Sequence, residues 1–278
     1  MIFSLLGHLA MRKSFKAWSV LFAGILSLTL CGWYLYPLLK AGLYNSINYR
    51  EPKTIDEKTF SIESKTILET ASFEKNVFVP ISNDSPRTQA TTFVQWNQSD
   101  YLSLAEALHS VAWKETLDSW NLSEMFFRME CKDISIGPQF GQINYLKTVK
   151  TKDKEAILVR VMEIEPEINQ AYTAEIDYYS TQRSWLDISK VKVSAEQALQ
   201  IAESNGGSKL RQEMGNNCRI YQSISANKDE YSGWIISYSS YDKPELNRDF
   251  YIDAETGNYK TLSTGGFFSR FFITVFPP

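Results

Sequence analysis

Val193-Ser194-Ala195-Glu196-Gln197-Ala198-Leu199-Gln200-Ile201-Ala202 decides how the chain is read. Ser194 stands where a helix N-cap belongs, because a serine hydroxyl can accept from backbone N–H groups that the first turn leaves unpaired. Gln197, three residues on, completes a capping box, and Val193 is placed to staple against Ala198. Ala195, Ala198, Leu199 and Ala202 then recur at helical spacing. Gly206-Gly207 predicts the stop. Earlier in the chain, Leu102-Ser103-Leu104-Ala105-Glu106-Ala107-Leu108 repeats the pattern, with Ser103 as N-cap, Glu106 three residues later and Val111 extending the apolar stripe.

Strand-like runs follow each helix. After the first they are Phe126–Ile136, Gln142–Val149, Ala156–Glu165 and Tyr172–Tyr179, and after the second Cys218–Ala226, Gly233–Ser240 and Arg248–Asp253. Val77–Ile81 and Thr92–Trp96 are shorter candidates, separated by the turn residues Asn83-Asp84-Ser85-Pro86. Glu175-Ile176-Asp177 and Tyr251-Ile252-Asp253 each end a run before a turn. The matched landmarks predict an α+β fold with two related units, each a helix on an antiparallel sheet. The competing reading is that capping boxes recur by chance in any protein.

The second unit resembles a PepSY domain over about residues 191–262. The likeness rests on the helix from Ser194, the strand Gly233-Trp234-Ile235-Ile236-Ser237-Tyr238, and Phe250-Tyr251-Ile252-Asp253-Ala254-Glu255-Thr256-Gly257. The first unit, about 92–180, is similar only in its helix and its Ile-Asp strand, without the Gly-Trp pair or the Thr-Gly turn. The resemblance implies an extracytoplasmic, usually non-enzymatic module. Such modules are associated with inhibiting or chaperoning secreted peptidases and with tuning membrane-bound sensors. The motif residues Ser194, Gly233, Trp234, Asp253, Thr256 and Gly257 have sufficient structural reasons of their own. Asp253 can bond amides ahead of it, Gly257 can take the positive φ of a hairpin turn, and Gly233 leaves room beside a bulky neighbour.

Nearer the N-terminus, residues 17–39 carry no charge. That is enough helix to cross a hydrocarbon core of roughly 30 Å. Arg12, Lys13 and Lys16 precede the run and Lys40 alone follows it, which places the N-terminus in the cytoplasm. Trp18 lies at one end and Trp33, Tyr34 and Tyr36 at the other, as interfacial aromatics do. A cleaved signal peptide is the rival reading, disfavoured by the length of the run and the lack of a small-x-small site. Met11 is an alternative start. Ser19, Ala23, Ser27 and Cys31 would form a stripe of small residues on that helix, a candidate for packing against another membrane helix. The expected organisation is a cytoplasmic segment 1–16, a span 17–39, a stalk 40–75, a first unit 76–188, a PepSY-like unit 189–264 and a Phe-rich tail 265–278.

Composition narrows the function. Setting aside Arg12, Lys13 and Lys16, 26 basic residues face 32 acidic ones, a net charge of −6. That balance argues against a nucleic-acid partner. His8 and His109 are the two histidines, and no HExxH, His-Cys ligand spacing, P-loop or strand-linked GxGxxG occurs. His109 reads as a helix-surface or half-buried residue, Glu163 and Glu165 as a solvated strand face, and Asp229-Glu230 as a solvated turn. No cofactor, metal or small-molecule ligand is indicated. Cys131 and Cys218 are the two cysteines outside the apolar run and are candidates for a disulfide in an oxidising compartment. Phe267, Phe268, Phe271, Phe272 and Phe276 crowd the tail, which reads as a cap on the sheet or as a contact surface. The expectation is a single-pass membrane protein, not an enzyme, that binds or regulates another envelope protein. An envelope hydrolase of unfamiliar type is the alternative.

Overall fold

The computed structural model describes residues 53–62, 77–82, 96–150, 155–178, 184–226 and 233–262, all within one compact unit, Glu51–Pro278. In chain order the elements are β1 (Lys53–Ile62), β2 (Phe78–Ile81), α1 (Gln98–Trp113), β3 (Asn121–Glu130), β4 (Phe140–Lys150), β5 (Glu155–Glu165) and β6 (Gln170–Tyr178). There follow α2 (Ala195–Ala202), α3 (Ser208–Glu213), β7 (Arg219–Ser225), β8 (Gly233–Ser239), β9 (Arg248–Asp253) and β10 (Tyr259–Leu262). All ten strands form one sheet in the order β10-β9-β8-β7-β3-β4-β5-β6-β1-β2, and every pairing is antiparallel.

This corrects the expected fold of separate helix-on-sheet units behind a membrane helix. Each half does consist of a helix followed by a four-strand meander, β3–β6 and β7–β10. The meanders are joined edge to edge where β3 runs antiparallel to β7, from Glu124 opposite Ser225 to Glu130 opposite Arg219. Strand alternation in a sequence shows which side chains share a face but not which strand lies alongside. A seam between strands so distant in the chain therefore leaves no local signal. The seam also removes one exposed edge from each meander, which a free four-stranded unit would have to protect.

One face of the sheet carries the helices. On β3, Met125, Phe127 and Met129 are buried, and on β7 so are Ile220, Gln222 and Ile224, the period of two expected of a half-covered sheet. Tyr101 of α1 packs on Phe127, Phe127 stacks on Trp234, and Gln222 Nε2 donates to the Ala195 carbonyl of α2. Both helices therefore lie over the same core, α1 above β4–β6 and α2 above β8 and β9. Leu146, Ile157 and Val159 form a smaller apolar cluster on the opposite face.

Several local expectations shift. Residues 53–62, assigned to a stalk, form β1 beside β6, and only Phe60 and Ile62 there are buried. Their charged neighbours masked the strand. Helix α1 begins at Gln98 rather than after Ser103, because Asn97 and Asp100 form the capping box and Ser103 lies inside the helix. The box at Ser194 and Gln197 is present as read. The helix breaks at Gly206, whose φ of 115° an L side chain rarely adopts, but it resumes as α3. The matched strands Glu175–Asp177 and Tyr251–Asp253 are not equivalent, since one lies in the fourth strand of its meander and the other in the third. Among the described residues no helix is long and apolar enough to cross a membrane. The span read at 17–39 lies outside them, as do Thr92–Gln95, the stripe Ser19, Ala23, Ser27 and Cys31, and the tail 265–278.

Candidate functional site

The residues on which the sequence resemblance rests converge on one joint. Trp234 is fully buried and its Nε1 donates to the Val193 carbonyl at 2.8 Å. The Lys192 and Val193 amides donate to the Ala254 carbonyl at 2.8 and 2.9 Å. Asp253 Oδ1 accepts from the Thr256 amide at 2.7 Å, the Thr256 hydroxyl at 2.8 Å and the Glu255 amide at 3.1 Å. Gly257, at φ 75°, donates its amide to the Asp253 carbonyl. Partial burial works to raise the Asp253 pKa, but the bonds from Thr256 and Glu255 outweigh it and hold the carboxyl below its ordinary range. Gly233 sits against the Tyr251 ring, where a Cβ would come within 2.4 Å. Ser194 caps α2 immediately after the joint. The whole set ties the entrance of α2 to β8 and to the β9–β10 turn.

Cys131 and Cys218 form a disulfide. They occupy the next paired position along the β3–β7 ladder, and the Cys131 amide also donates to the Cys218 carbonyl at 2.8 Å. The bond lies at the end of the seam between the two meanders. One position before it along the ladder, Arg219 and Glu130 form a half-exposed ion pair at 2.9 Å.

The first half holds a buried charged cluster that sequence reasoning missed. The Arg160 guanidinium, on β5, is sandwiched between two indoles, with its central carbon 4.4 Å from the Trp113 ring and 4.0 Å from the Trp120 ring. Its Nε donates to Glu175 Oε2 at 2.7 Å, and its Nη1 lies 3.0 Å from Glu115 Oε2 and 2.7 Å from His109 Nε2. An arginine has no acceptor, so His109 Nε2 accepts and the imidazole carries its proton on Nδ1. Burial first, and the Arg160 charge second, lower the His109 pKa to about 4. The hydrogen bond from Arg160 likewise lowers the Glu115 carboxyl. Lys58 of β1 donates to the Ala112 carbonyl at the C-terminal end of α1, where cations are favoured.

His109, expected as a helix-surface or half-buried residue, is thus fully buried. The signal was present: it continues the stripe Tyr101, Leu104, Ala105, Leu108 and Ala112 at helical spacing. Arg160 interrupts the otherwise continuous apolar run Ala156–Met162, which does not show which face each side chain takes. Glu163, expected on a solvated face, is half-buried, and burial together with Glu165 raises its pKa to about 7 against the pull of Arg128. Asp229 and Glu230 lie outside the described residues. Among the described residues no group of three or more His, Cys, Asp or Glu could hold a metal ion.

No protein-family model, no curated protein and no solved structure matches this chain.

Proposed function

We propose that the chain is a PepSY-like, extracytoplasmic binding or regulatory module that acts by contact with another envelope protein rather than by catalysis. The observation that carries this reading is the joint at Val193, Trp234 and Ala254. The Trp234 indole, the Ser194 and Thr256 hydroxyls and the Asp253 Oδ1 oxygen are all engaged within the fold. The motif builds a scaffold, so recognition must lie on surfaces it supports. The disulfide supports an oxidising compartment, because cytosolic thiols are kept reduced. Attachment to the cell membrane rests on the sequence of residues 17–39 alone.

The test is in-membrane cross-linking of the intact chain, followed by purification through a C-terminal tag. A reproducible envelope-protein adduct, weakened by Ala23→Leu with Ser27→Leu or by deletion of 267–278, is the expected result. Partners retained unchanged by both variants would refute contact through those surfaces. Turnover of an envelope substrate by the purified chain would replace the reading with an enzymatic one. A reporter fused after Pro278 should be active only outside the cytoplasm.

A further inference from the structure

We propose that Arg160, held between Trp113 and Trp120, is a carboxylate-binding site whose resting occupant is the chain's own Glu115. The assignment stands on the geometry of this cluster and does not require the partner reading above.

The two carboxylates on Arg160 are not alike. Glu175, on the neighbouring strand β6, holds Nε at 2.7 Å, and its side chain is 15% exposed. That pair already neutralises the buried guanidinium. Glu115 lies after the left-handed cap Lys114, and its side chain is 52% exposed while that of Arg160 is 6% exposed. The second carboxylate therefore reaches a buried cation from solvent. It exceeds what charge balance needs, and it sits on a connecting segment rather than on the sheet. Glu175 stays on Arg160 when Glu115 leaves, so a competitor that displaces Glu115 does not strand the buried cation without a counter-ion.

The surroundings are rich in unused donors. Trp113 Nε1 and Trp120 Nε1 are buried without a hydrogen-bond partner. The proton on His109 Nδ1 is oriented towards the Glu115 backbone carbonyl, outside normal hydrogen-bond geometry, so the two indoles are the open donors. Buried donors are nearly always paired in folded proteins, so two unpaired N–H groups around one guanidinium call for an acceptor. Lys147 adds positive charge beside Trp120, its ammonium 5.6 Å from the ring. A guanidinium fork with aromatic walls and spare donors suits a planar anionic oxygen group. The ligand class is a carboxylate, supplied either by a small organic acid or by an Asp or Glu side chain of an acidic peptide.

Trp113 and Trp120 report occupancy directly. The intact chain is titrated with sodium acetate, or with a short Glu-rich peptide, against sodium chloride at equal ionic strength, and tryptophan emission is followed. Glu115→Ala removes the internal competitor and should give a saturable change about tenfold tighter than wild type, because the open state no longer has to be selected. Arg160→Gln should abolish it, and near-UV circular dichroism shows whether that variant is folded. Saturation by acetate identifies a small carboxylate as sufficient, whereas saturation by the peptide alone identifies a polypeptide source. If Glu115→Ala responds to neither probe beyond chloride, the site does not bind carboxylates and the proposal falls. That outcome would leave the cross-linking result untouched.

Discussion

The backbone amide of Gln98 donates to Glu196 Oε1 at 2.6 Å, so the first residue of α1 is held by the first turn of α2. The exchange is reciprocal, for the Ala195 amide donates to Gln98 Oε1 at 2.7 Å. Each helix start thereby satisfies a donor that the other leaves open. Gln98→Ala and Glu196→Ala should each cost about 1 kcal/mol, the usual worth of a helix cap. The double variant should lose less than the sum, because both bonds hold the same two helix ends together. Denaturant titration of the four proteins decides it, and strict additivity would mean the two bonds act independently.

The disulfide should matter more than any single hydrogen bond. Cys131 and Cys218 are 87 residues apart, and closing a loop of that length restrains the unfolded chain by up to ~4 kcal/mol. Replacing both by Ser should lower the unfolding free energy by up to that amount. The β3–β7 ladder itself should persist, since six further residue pairs precede Glu130–Arg219 along it. Hydrogen exchange at Met125 and Ile220 would show this. Mass spectrometry showing two free thiols in the native protein would remove the premise.

Gly141 tests the packing of α1. The Tyr101 ring lies on it so closely that a Cβ would come within 2.2 Å, and the Tyr101 hydroxyl donates to the Pro138 carbonyl at 2.8 Å. The ring is buried and anchored at its far end, so it cannot swing aside. Gly141→Ala should therefore destabilise the fold by about 1–3 kcal/mol, the usual cost of overpacking. Gly141→Ala with Tyr101→Leu should recover part of the loss. No loss of stability in the single variant would show that α1 rides higher on the sheet.

What was legible in the sequence was mostly local. The capping box at Ser194 and the strand Arg248–Asp253 follow from hydrogen-bonding chemistry within a few residues, and both stand where they were read. The β3–β7 seam, the Gln98–Glu196 contact and the Arg160 cluster join residues distant in the chain, and nothing near any of them announces its partner. The helix start was placed at Ser103 rather than at Asn97, because the polar residues Asn97-Gln98-Ser99-Asp100 serve the cap rather than a buried face. Lys53–Ile62 looked like a stalk because most of its side chains stay exposed, even though its backbone is paired on both sides. Of the candidate site, the motif residues were visible and the buried guanidinium was not, since an arginine in a strand is usually a surface residue.

His109 and Glu163 give the stability curve two opposing slopes. His109 has its pKa lowered from 6.5 to about 4, so below about pH 6.5 the unfolded chain takes up a proton that the folded one refuses. Its contribution to stability is therefore lost as pH falls from 6.5 towards 4. Glu163 has its pKa raised from 4.5 to about 7, so above about pH 4.5 the unfolded chain releases a proton that the folded one keeps. Its contribution is lost as pH rises from 4.5 through 7. The two windows overlap between about 4.5 and 6.5, where these two effects oppose each other. Glu163→Gln leaves the histidine unopposed, and its unfolding free energy should rise with pH across that range relative to wild type. His109→Gln keeps an acceptor for Arg160 but cannot titrate, and its unfolding free energy should fall with pH relative to wild type. Unfolding free energies at half-unit steps from pH 4 to pH 7.5 separate the cases. If both variants retain the wild-type slope, neither group is desolvated enough to govern the pH dependence. If only His109→Gln changes it, the Glu163 carboxyl is better hydrated than its place on the sheet implies.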